Sequence, residues 1–198
     1  MLVIGLTGQT GAGKSTVCKK LEKYGCYHID ADKIAHSVYE AGSPVLSRLL
    51  CSFGGEIFND NGTLNRKKLA EIAFSSEENI LKLNSIVHPA VTDKIRKIIE
   101  EQRLLGSKAV IIDAIALFES GENKLCNFTV AVVAPRGVRK ERVKKRDGLN
   151  EDEAELRINA QREEKFYKDN ADITVKNYLP HNLDEEVKKI LLWIKEKG

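Results

Sequence analysis

The stretch LVIGLTGQTGAGKSTVCKK, residues 2–20, decides the fold of this chain. Its first part, LVIGLT, is a short apolar run rich in β-forming residues, which is typical of a buried parallel strand. A glycine-rich turn follows, and from Lys14 onward the apolar residues Val17 and Leu21 stand one helical turn apart. The stretch therefore predicts a strand, a glycine turn and a helix in immediate succession.

The turn itself, Gly8–Ser15, matches the pattern GxxxxGK[ST]. Glycines allow backbone angles in which successive N–H groups point inward around phosphate oxygens, and the N-terminus of the following helix adds its positive dipole end. An accidental glycine turn is the alternative, but the match also follows a strand and opens a helix, as the motif requires. We expect Lys14 to contact the β- and γ-phosphates and the Ser15 hydroxyl to bind Mg²⁺. The predicted ATP-binding residues of this loop are Gly11, Ala12, Gly13, Lys14, Ser15 and Thr16.

ATP is favoured over GTP because the chain has no NKxD-type motif for reading guanine. The nearest match is NKLC at residues 123–126, where a cysteine replaces the carboxylate that would bind the base. A regulatory GTP switch is therefore disfavoured.

Other apolar runs predict the remainder of a parallel sheet. Strand candidates separated by helical segments indicate an α/β fold with helices on both faces of five parallel strands. The additional strands are predicted at CYHID (26–30), KAVIIDAIALF (108–118), FTVAVVA (128–134) and DITVKN (172–177).

Two insertions interrupt this pattern. About 75 residues separate the second and third strands, too many for a simple crossover, so we predict a helical insertion at residues 33–105. Within it, Pro89 is expected to divide a long helical pattern into two helices and to push His88 out of the helical region. A second insertion is predicted at residues 136–165. The nucleotide-binding core then comprises 1–32, 106–135 and 166–198, with a last helix that starts at an asparagine cap, Asn182.

Composition limits the classes of partner. The net charge of +3 is too small to argue for nucleic acid or an anionic membrane, and no apolar run approaches the roughly 20 residues that span a bilayer. The N-terminus lacks the features of a secretion signal, so we expect a cytoplasmic protein.

The cysteines are interpreted as reduced thiols that form neither disulfides nor a zinc site, and the histidines His28, His36 and His181 show no metal-ligand spacing. The cysteines are Cys18, Cys26, Cys51 and Cys126.

A pair of aspartates follows the second strand. Asp30 and Asp32 are two residues apart, so an extended backbone would direct both to one side. The carboxyl ends of strands in an open α/β sheet meet at the ligand crevice, where a carboxylate can accept a proton from an attacking hydroxyl. The alternative is that Asp32 caps a helix starting at Lys33. Spacing alone leaves both interpretations open.

A basic segment lies in the second insertion. RGVRKERVKKRD begins at Arg136 and places Arg139, Arg142 and Arg146 at i, i+3 and i+7, on one helical face. Such arginines can close over a triphosphate as a lid, or they can form a solvated cationic face. Nucleic-acid binding is a weaker option because no aromatic residues alternate with the cations.

Taken together, these motifs resemble the dephospho-coenzyme A kinases. IGLTGQTGAGKSTV followed by IDAD carries the resemblance, which continues through GTLNRKKL, LNSIVHP, KRDGLNEDEAELRINAQ and ADITVKN in the same order. The resemblance implies the last step of coenzyme A synthesis, the ATP-dependent phosphorylation of the ribose 3′-hydroxyl of dephospho-coenzyme A. It implies strand order 2-3-1-4-5, an acceptor-binding domain at 33–105 and a lid at 136–165.

The resemblance also assigns roles to residues. Asp32 becomes the catalytic base beside Lys14, and Arg142 and Arg146 become lid arginines that bind ATP. Arg66 and His88 fall in stretches that resemble the acceptor domain, where a cation can meet the substrate's pyrophosphate; structural roles are equally open. Another small-molecule kinase and a non-catalytic ATP-binding switch are the rival functions.

Three positions depart from the family pattern or leave their role open. Gln9 stands where family members commonly have a second glycine, at a variable position. IALFE, Ile115 to Glu119, replaces PLLFE. Asp113 resembles the aspartate that ends a Walker-B strand, but a structural carboxylate fits at least as well, so the sequence assigns it no role.

Overall fold

The structure, a computed structural model, describes residues 1–197. The strands within that range are β1 (Leu2–Thr7), β2 (Cys26–Asp30), β3 (Ala109–Asp113), β4 (Phe128–Val133) and β5 (Ile173–Lys176). The first five helices are α1 (Lys14–Glu22), α2 (Ala31–Ser37), α3 (Pro44–Phe53), α4 (Arg66–Ala73) and α5 (Glu77–Leu104). The others are α6 (Arg136–Asp147), α7 (Glu151–Asn159), α8 (Glu164–Asn170) and α9 (Leu183–Lys197).

The strands form one parallel sheet in the order β2-β3-β1-β4-β5. This confirms the predicted fold class and strand order. In register, Asp113 at the end of β3 pairs with Leu6 of β1 and with Asp30 of β2. The carboxyl ends of the three strands therefore reach the same edge of the sheet, next to the glycine turn that follows β1.

The core of the sheet explains the apolar runs. All residues of β1 and β4 are buried, as expected for inner strands covered on both faces. On one face, α1 contributes Val17 and Leu21 and α9 contributes Val187 and Ile190 to a common apolar cluster. Helix α9 begins as predicted, since the side chain of Asn182 accepts a hydrogen bond from the N–H of Asp184 at 2.8 Å.

The third strand is shorter than its apolar run. The pairing of β3 with β1 ends at Asp113, and the chain then leaves the sheet, although Ala114 and Leu117 remain buried. The prediction of a strand to residue 118 was wrong because hydrophobicity reports burial and does not distinguish a strand from a buried loop.

Helix α5 continues through Pro89, so the predicted break at this proline was wrong. A proline inside a helix costs about 3 kcal/mol, mainly through one lost hydrogen bond and a steric clash. Burial of each large aliphatic side chain contributes about 1.5–3 kcal/mol, so several such residues on both sides outweigh the cost. The buried residues that flank the proline are Ile86, Val87, Val91 and Ile95.

The chain divides into two compact units. The first comprises Met1–Asp30 and the chain from Ile99 onward, and the second is Ala31–Ile98. The first unit holds the sheet, α1 and helices α6 to α9. The second is helical and has its own buried residues, among them Val45, Leu49 and Leu69. Among the described helices, none has both the length and the apolar character that crossing a membrane demands.

Candidate active site

The loop between β1 and α1 adopts a conformation that requires glycine. Gly11 and Gly13 have φ values of 76° and 93°, in the left-handed region. A Cβ on Gly11 would lie 2.5 Å from the backbone oxygen of Arg139, and one on Gly13 would lie 2.0 Å from Nδ2 of Asn177. The loop is therefore contacted closely both by α6 and by the segment after β5.

Two side chains hold the outer side of this loop through its carbonyl oxygens. Arg142 of α6 donates from Nη1 to the oxygens of Gly11 and Ala12, both at 3.3 Å, and from Nη2 to the oxygen of Asn177 at 2.8 Å. Asn177 in turn donates from Nδ2 to the oxygen of Ala12 at 2.8 Å. Because the carbonyl groups are bound on this side, the loop is held in the shape that phosphate binding by backbone N–H groups requires.

The loop is also tied to the connection between α7 and α8. Gln9 is buried and donates from Nε2 to the oxygen of Arg162 at 2.8 Å. The N–H of Thr10 donates to Oε1 of Gln161 at 2.7 Å. The side chain at position 9 therefore has a specific partner, which sequence reasoning missed because that partner lies 153 residues away.

Lys14 folds back across the loop. Its Nζ donates to the oxygen of Gly8 at 3.3 Å and lies 3.9 Å from Oδ1 of Asp113. Both side chains are largely buried, and Oδ1 of Asp113 has no hydrogen-bond partner within the described residues. Asp113 is thus the ion-pair partner of the candidate phosphate-binding lysine. The sequence VIID indicates a carboxylate at the end of a strand, but it does not indicate that this carboxylate pairs with Lys14.

Ser15 and Thr16 lie in the first turn of α1 and are exposed. The hydroxyl oxygen of Ser15 is a hard donor of the kind that Mg²⁺ prefers. A nucleotide seated on the loop would place its terminal phosphates, which are hard donors too, at the same helix N-terminus.

The three arginines predicted on one face of α6 lie in different environments. Arg139 is buried, donates from Nε to the oxygen of Ala134 at 3.0 Å, and has a lowered pKa because of burial. Arg142 donates to the carbonyl oxygens of Gly11 and Ala12 in the loop. Arg146 is exposed and donates from Nε and Nη2 to the carboxylate of Asp147 at 2.7 and 2.8 Å, an interaction that raises its pKa.

The aspartates after β2 differ from the expected arrangement. The strand ends at Asp30 and α2 begins at the next residue, Ala31, so Asp32 is in the first helical turn. The expectation of an extended backbone through Asp32 was therefore wrong, and so was the alternative of a cap for a helix starting at Lys33. The chain passes from strand to helix without a loop residue. Asp32 is exposed and follows the last residue of β2, Asp30, by two residues in the sequence.

In the second unit, Arg66 opens α4 and is fixed by neighbours. It donates from Nη1 to Nδ1 of His36 at 2.6 Å and from Nη2 to the His36 oxygen at 3.1 Å, and its guanidinium lies 5.4 Å from the ring centroid of Tyr39. His88 is in the middle of α5, half-buried, and burial lowers its pKa. Its expected position outside the helix was wrong, together with the break at Pro89.

The same unit contains a cavity of about 300 Å³. Apolar residues share its lining with three cations and one carboxylate, so cations outnumber acids, a combination that suits a ligand with an extended apolar part and an anionic part. The lining includes Val38, Pro44, Val45, Arg48, Asp93, Lys94 and Lys97.

The tight contact at Gly13 leads to a stability prediction. We expect Gly13→Ala to lower the free energy of unfolding by at least about 1–3 kcal/mol, the cost of a left-handed non-glycine residue. The contact with Asn177 adds to that cost. Gly148→Ala is the matched control, since Gly148 has a φ of 67° and an added Cβ meets nothing within 4 Å. Urea denaturation gives the free energy of unfolding of both variants, and the difference between their losses measures the contact with Asn177. Equal losses would show that this contact does not contribute to the cost.

These features define a class of protein. A glycine loop between the first strand and first helix of a parallel 2-3-1-4-5 sheet, with a lysine in the loop and a basic helix against it, is the nucleotide site of a P-loop kinase. A crystal structure from Thermus thermophilus superposes with a TM-score of 0.77 at 31% identity, over 99% of this chain and 97% of the other. A dephospho-CoA kinase from Campylobacter jejuni shares the fold, with a TM-score of 0.69 at 24% identity over 98% of both chains.

The chain belongs to the dephospho-CoA kinase family. The model of that family, described as Dephospho-CoA kinase, matches residues 2–181. A dephospho-CoA kinase of Bacillus licheniformis is 39% identical over 176 residues, which cover 89% of this chain and 88% of the relative. The resemblance inferred from the sequence motifs is thereby confirmed.

Proposed function

We propose that this chain transfers the γ-phosphoryl group of ATP to the 3′-hydroxyl of the ribose of dephospho-coenzyme A, releasing coenzyme A and ADP. One observation carries the proposal: a chain that matches this family over residues 2–181 also holds its phosphate loop open through Arg142 and Asn177, with Lys14 inside it. The free thiol state of the cysteines suits the cytoplasm, where we expect the reaction to occur.

On the donor side, residues 11–16 bind the β- and γ-phosphates. The backbone N–H groups of the loop and the N-terminus of α1 supply the fixed dipoles, and Lys14 supplies a positive charge. Lys14 exchanges its contact with the Gly8 oxygen for a phosphate oxygen when the nucleotide arrives. Such preorganised charges stabilise the transferring phosphoryl group more than they stabilise bound ATP.

The residues present fit a magnesium ion. Ser15 offers an exposed hydroxyl at the helix N-terminus, and this hard donor suits Mg²⁺. Ser15 is the residue that would hold the ion next to the terminal phosphates. When bound, Mg²⁺ neutralises negative charge on the phosphate oxygens.

On the acceptor side, Asp32 accepts the proton of the ribose 3′-hydroxyl. The hydroxyl oxygen forms the new bond to the γ-phosphorus, the bond from phosphorus to the bridging oxygen breaks, and ADP leaves with that oxygen. The exposure of Asp32 supports this role, since a base must be accessible to the incoming hydroxyl. The pair of neighbouring strand ends at Asp30 and Asp113 marks the same edge of the sheet as the phosphate loop.

Residues 136–165 act as the lid. Arg142 donates to the loop carbonyls of Gly11 and Ala12, so its contribution to ATP binding is to hold the phosphate loop in shape. Arg146 is exposed and exchanges Asp147 for the nucleotide when the lid closes. A surface ion pair of this kind is worth little, about 1 kcal/mol or less, so the exchange costs little.

The helical segment 33–105 binds the acceptor. Arg66 has a guanidinium positioned by His36 and Tyr39, and it remains exposed for an anionic group such as the pyrophosphate. His88 is the second candidate for this contact. The cavity lined by apolar residues and by Arg48, Lys94 and Lys97 suits the remainder of an extended, anionic substrate.

An acceptor panel tests the proposal directly. The protein is incubated with ATP and Mg²⁺ together with dephospho-coenzyme A, nucleosides or other small alcohols, and phosphorylated products are separated and compared with authentic coenzyme A. We expect transfer to dephospho-coenzyme A at the 3′ position. Preferential transfer to another acceptor would indicate a different small-molecule kinase, and ATP binding with no transfer would indicate a switch.

A further inference from the structure

One side-chain cluster of the first unit contains two residues, Cys18 and His28, that take no part in the proposed reaction, beside Asp113, the ion-pair partner of Lys14. Cys18 of α1, His28 of β2 and Asp113 of β3 each direct one ligand-type atom to a common point, and these atoms lie within 4.8 Å of one another. The Sγ of Cys18 and the Nε2 of His28 are each 3.6 Å from Oδ2 of Asp113. Sequence spacing conceals the cluster because Cys18 and Asp113 are 95 residues apart and the three residues come from three elements.

The two separations from Asp113 Oδ2, both 3.6 Å, match those of a tetrahedral zinc site. With Zn–S near 2.3 Å and Zn–N and Zn–O near 2.0–2.2 Å, tetrahedral geometry places neighbouring ligand atoms about 3.4–3.6 Å apart. We propose that Cys18, His28 and Asp113 bind one Zn²⁺ ion, with a water molecule as the fourth ligand. The interpretation of the cysteines as simple thiols, drawn from their spacing, does not extend to Cys18 under this proposal.

The imidazole of His28 has surroundings that favour metal binding through Nε2. Nε2 of His28 is buried and has no hydrogen-bond partner within the described residues, a costly state for a polar atom. The other ring nitrogen, Nδ1, lies 3.4 Å from Oε1 of Glu22. A carboxylate at that position favours the tautomer with its proton on Nδ1 and directs the Nε2 lone pair toward the cluster, as in carboxylate–histidine–zinc arrangements.

The two oxygens of Asp113 face different neighbours. Oδ1 lies toward Lys14 at 3.9 Å, whereas Oδ2 lies toward the thiol and the imidazole. An ion bound at Oδ2 therefore leaves Oδ1 directed toward the phosphate-binding lysine. The proposed zinc site and the phosphate loop therefore both use the carboxylate of Asp113, but the zinc site uses Oδ2 and Lys14 uses Oδ1.

The donor set selects the metal. A thiolate and an imidazole suit Zn²⁺, whereas Mg²⁺ takes oxygen ligands. The thiol must lose its proton when the sulfur–metal bond forms, and that proton passes to solvent. Millimolar Mg²⁺, which the kinase reaction needs, therefore does not compete for these three atoms.

Cobalt spectroscopy on the full chain tests the proposal. The probe is Co²⁺ added to the reduced protein in mildly alkaline buffer, since a thiolate–cobalt bond gives a charge-transfer absorption in the near ultraviolet and tetrahedral coordination gives intense visible bands. We expect one Co²⁺ per chain with both signatures, displaced by Zn²⁺ and unaffected by Mg²⁺. Absence of the thiolate band in the native chain would overturn the proposal, whatever the variants do.

Variants separate this site from other thiols. Cys18→Ala should remove the charge-transfer band, whereas Cys51→Ala, which alters an exposed cysteine of the other unit, should leave it unchanged. His28→Ala should weaken Zn²⁺ binding by more than tenfold, and Glu22→Gln by about tenfold, the usual effect of losing a carboxylate behind a metal-bound histidine. A band that persists in Cys18→Ala would assign the metal to another cysteine and refute the site. Because the readout is metal binding, the result is independent of whether the chain phosphorylates dephospho-coenzyme A.

Discussion

Lys14→Ala is expected to reduce kcat by at least about 10²–10³-fold, the usual effect of removing one preorganised donor from a charged transition state. The side chain lies inside the phosphate loop, with its Nζ 3.3 Å from the Gly8 oxygen and 3.9 Å from Oδ1 of Asp113. A steady-state assay of transfer to dephospho-coenzyme A measures the effect. The fold should persist, because Arg142, Asn177 and Gln161 hold the loop without help from Lys14.

Lys19→Ala is the matched control for this variant. It removes an exposed lysine from the same helix, so it changes the net charge by the same amount without entering the loop. We expect near-normal turnover from Lys19→Ala. Turnover in a folded Lys14→Ala protein equal to that of the control would remove the lysine, and with it the phosphate loop, from the proposed mechanism.

Asp32→Asn is expected to reduce kcat by about 10²-fold or more, since general-base assistance is typically of that size. The amide keeps the shape of the carboxylate and cannot accept the proton, so binding of both substrates should change little. The pH dependence of kcat provides a second readout. Loss of the base should remove the acidic limb of that profile, which a merely structural role would not do.

Two outcomes distinguish catalysis from helix stabilisation at this position. As the acidic residue in the first turn of α2, Asp32 also complements the helix dipole, worth about 0.3–1 kcal/mol. If that is its whole role, Asp32→Asn lowers the melting temperature slightly and leaves turnover unchanged. Asp30→Asn serves as the comparison, because it removes the same charge two residues earlier, in the strand. A larger loss of kcat for Asp30→Asn would move the base to that residue.

The nucleotide-binding half of the molecule could be predicted from local sequence. The run LVIGLT, the glycine turn and the helix from Lys14 are consecutive, and each local preference agrees with the final fold. The same holds for β4 and for the start of α9 at Asn182, where apolar pattern and capping residue agree. Patterns of this kind are reliable because the interactions behind them lie within a few residues.

Predictions failed where tertiary burial outweighs local preference. Pro89 disfavours a helix locally, yet buried residues on both sides keep α5 continuous. The apolar run after Asp113 continues in the sequence but leaves the sheet, because strand pairing and burial are separate requirements. At Asp32, the helix begins earlier than the spacing suggested, so the argument from an extended backbone was wrong.

By itself, the sequence determined a glycine loop between a buried strand and a helix, the pattern that predicts nucleotide binding, and a resemblance to the dephospho-CoA kinases that the family match confirmed. Only the tertiary structure decided how that loop is held. The contacts from Arg142, Asn177 and Gln161 cross more than 100 residues of chain. The pairing of Lys14 with Asp113 likewise depends on strand register. Such contacts cannot be recognised from the spacing of residues in the sequence, because they form only when folding brings distant elements to one edge of the sheet.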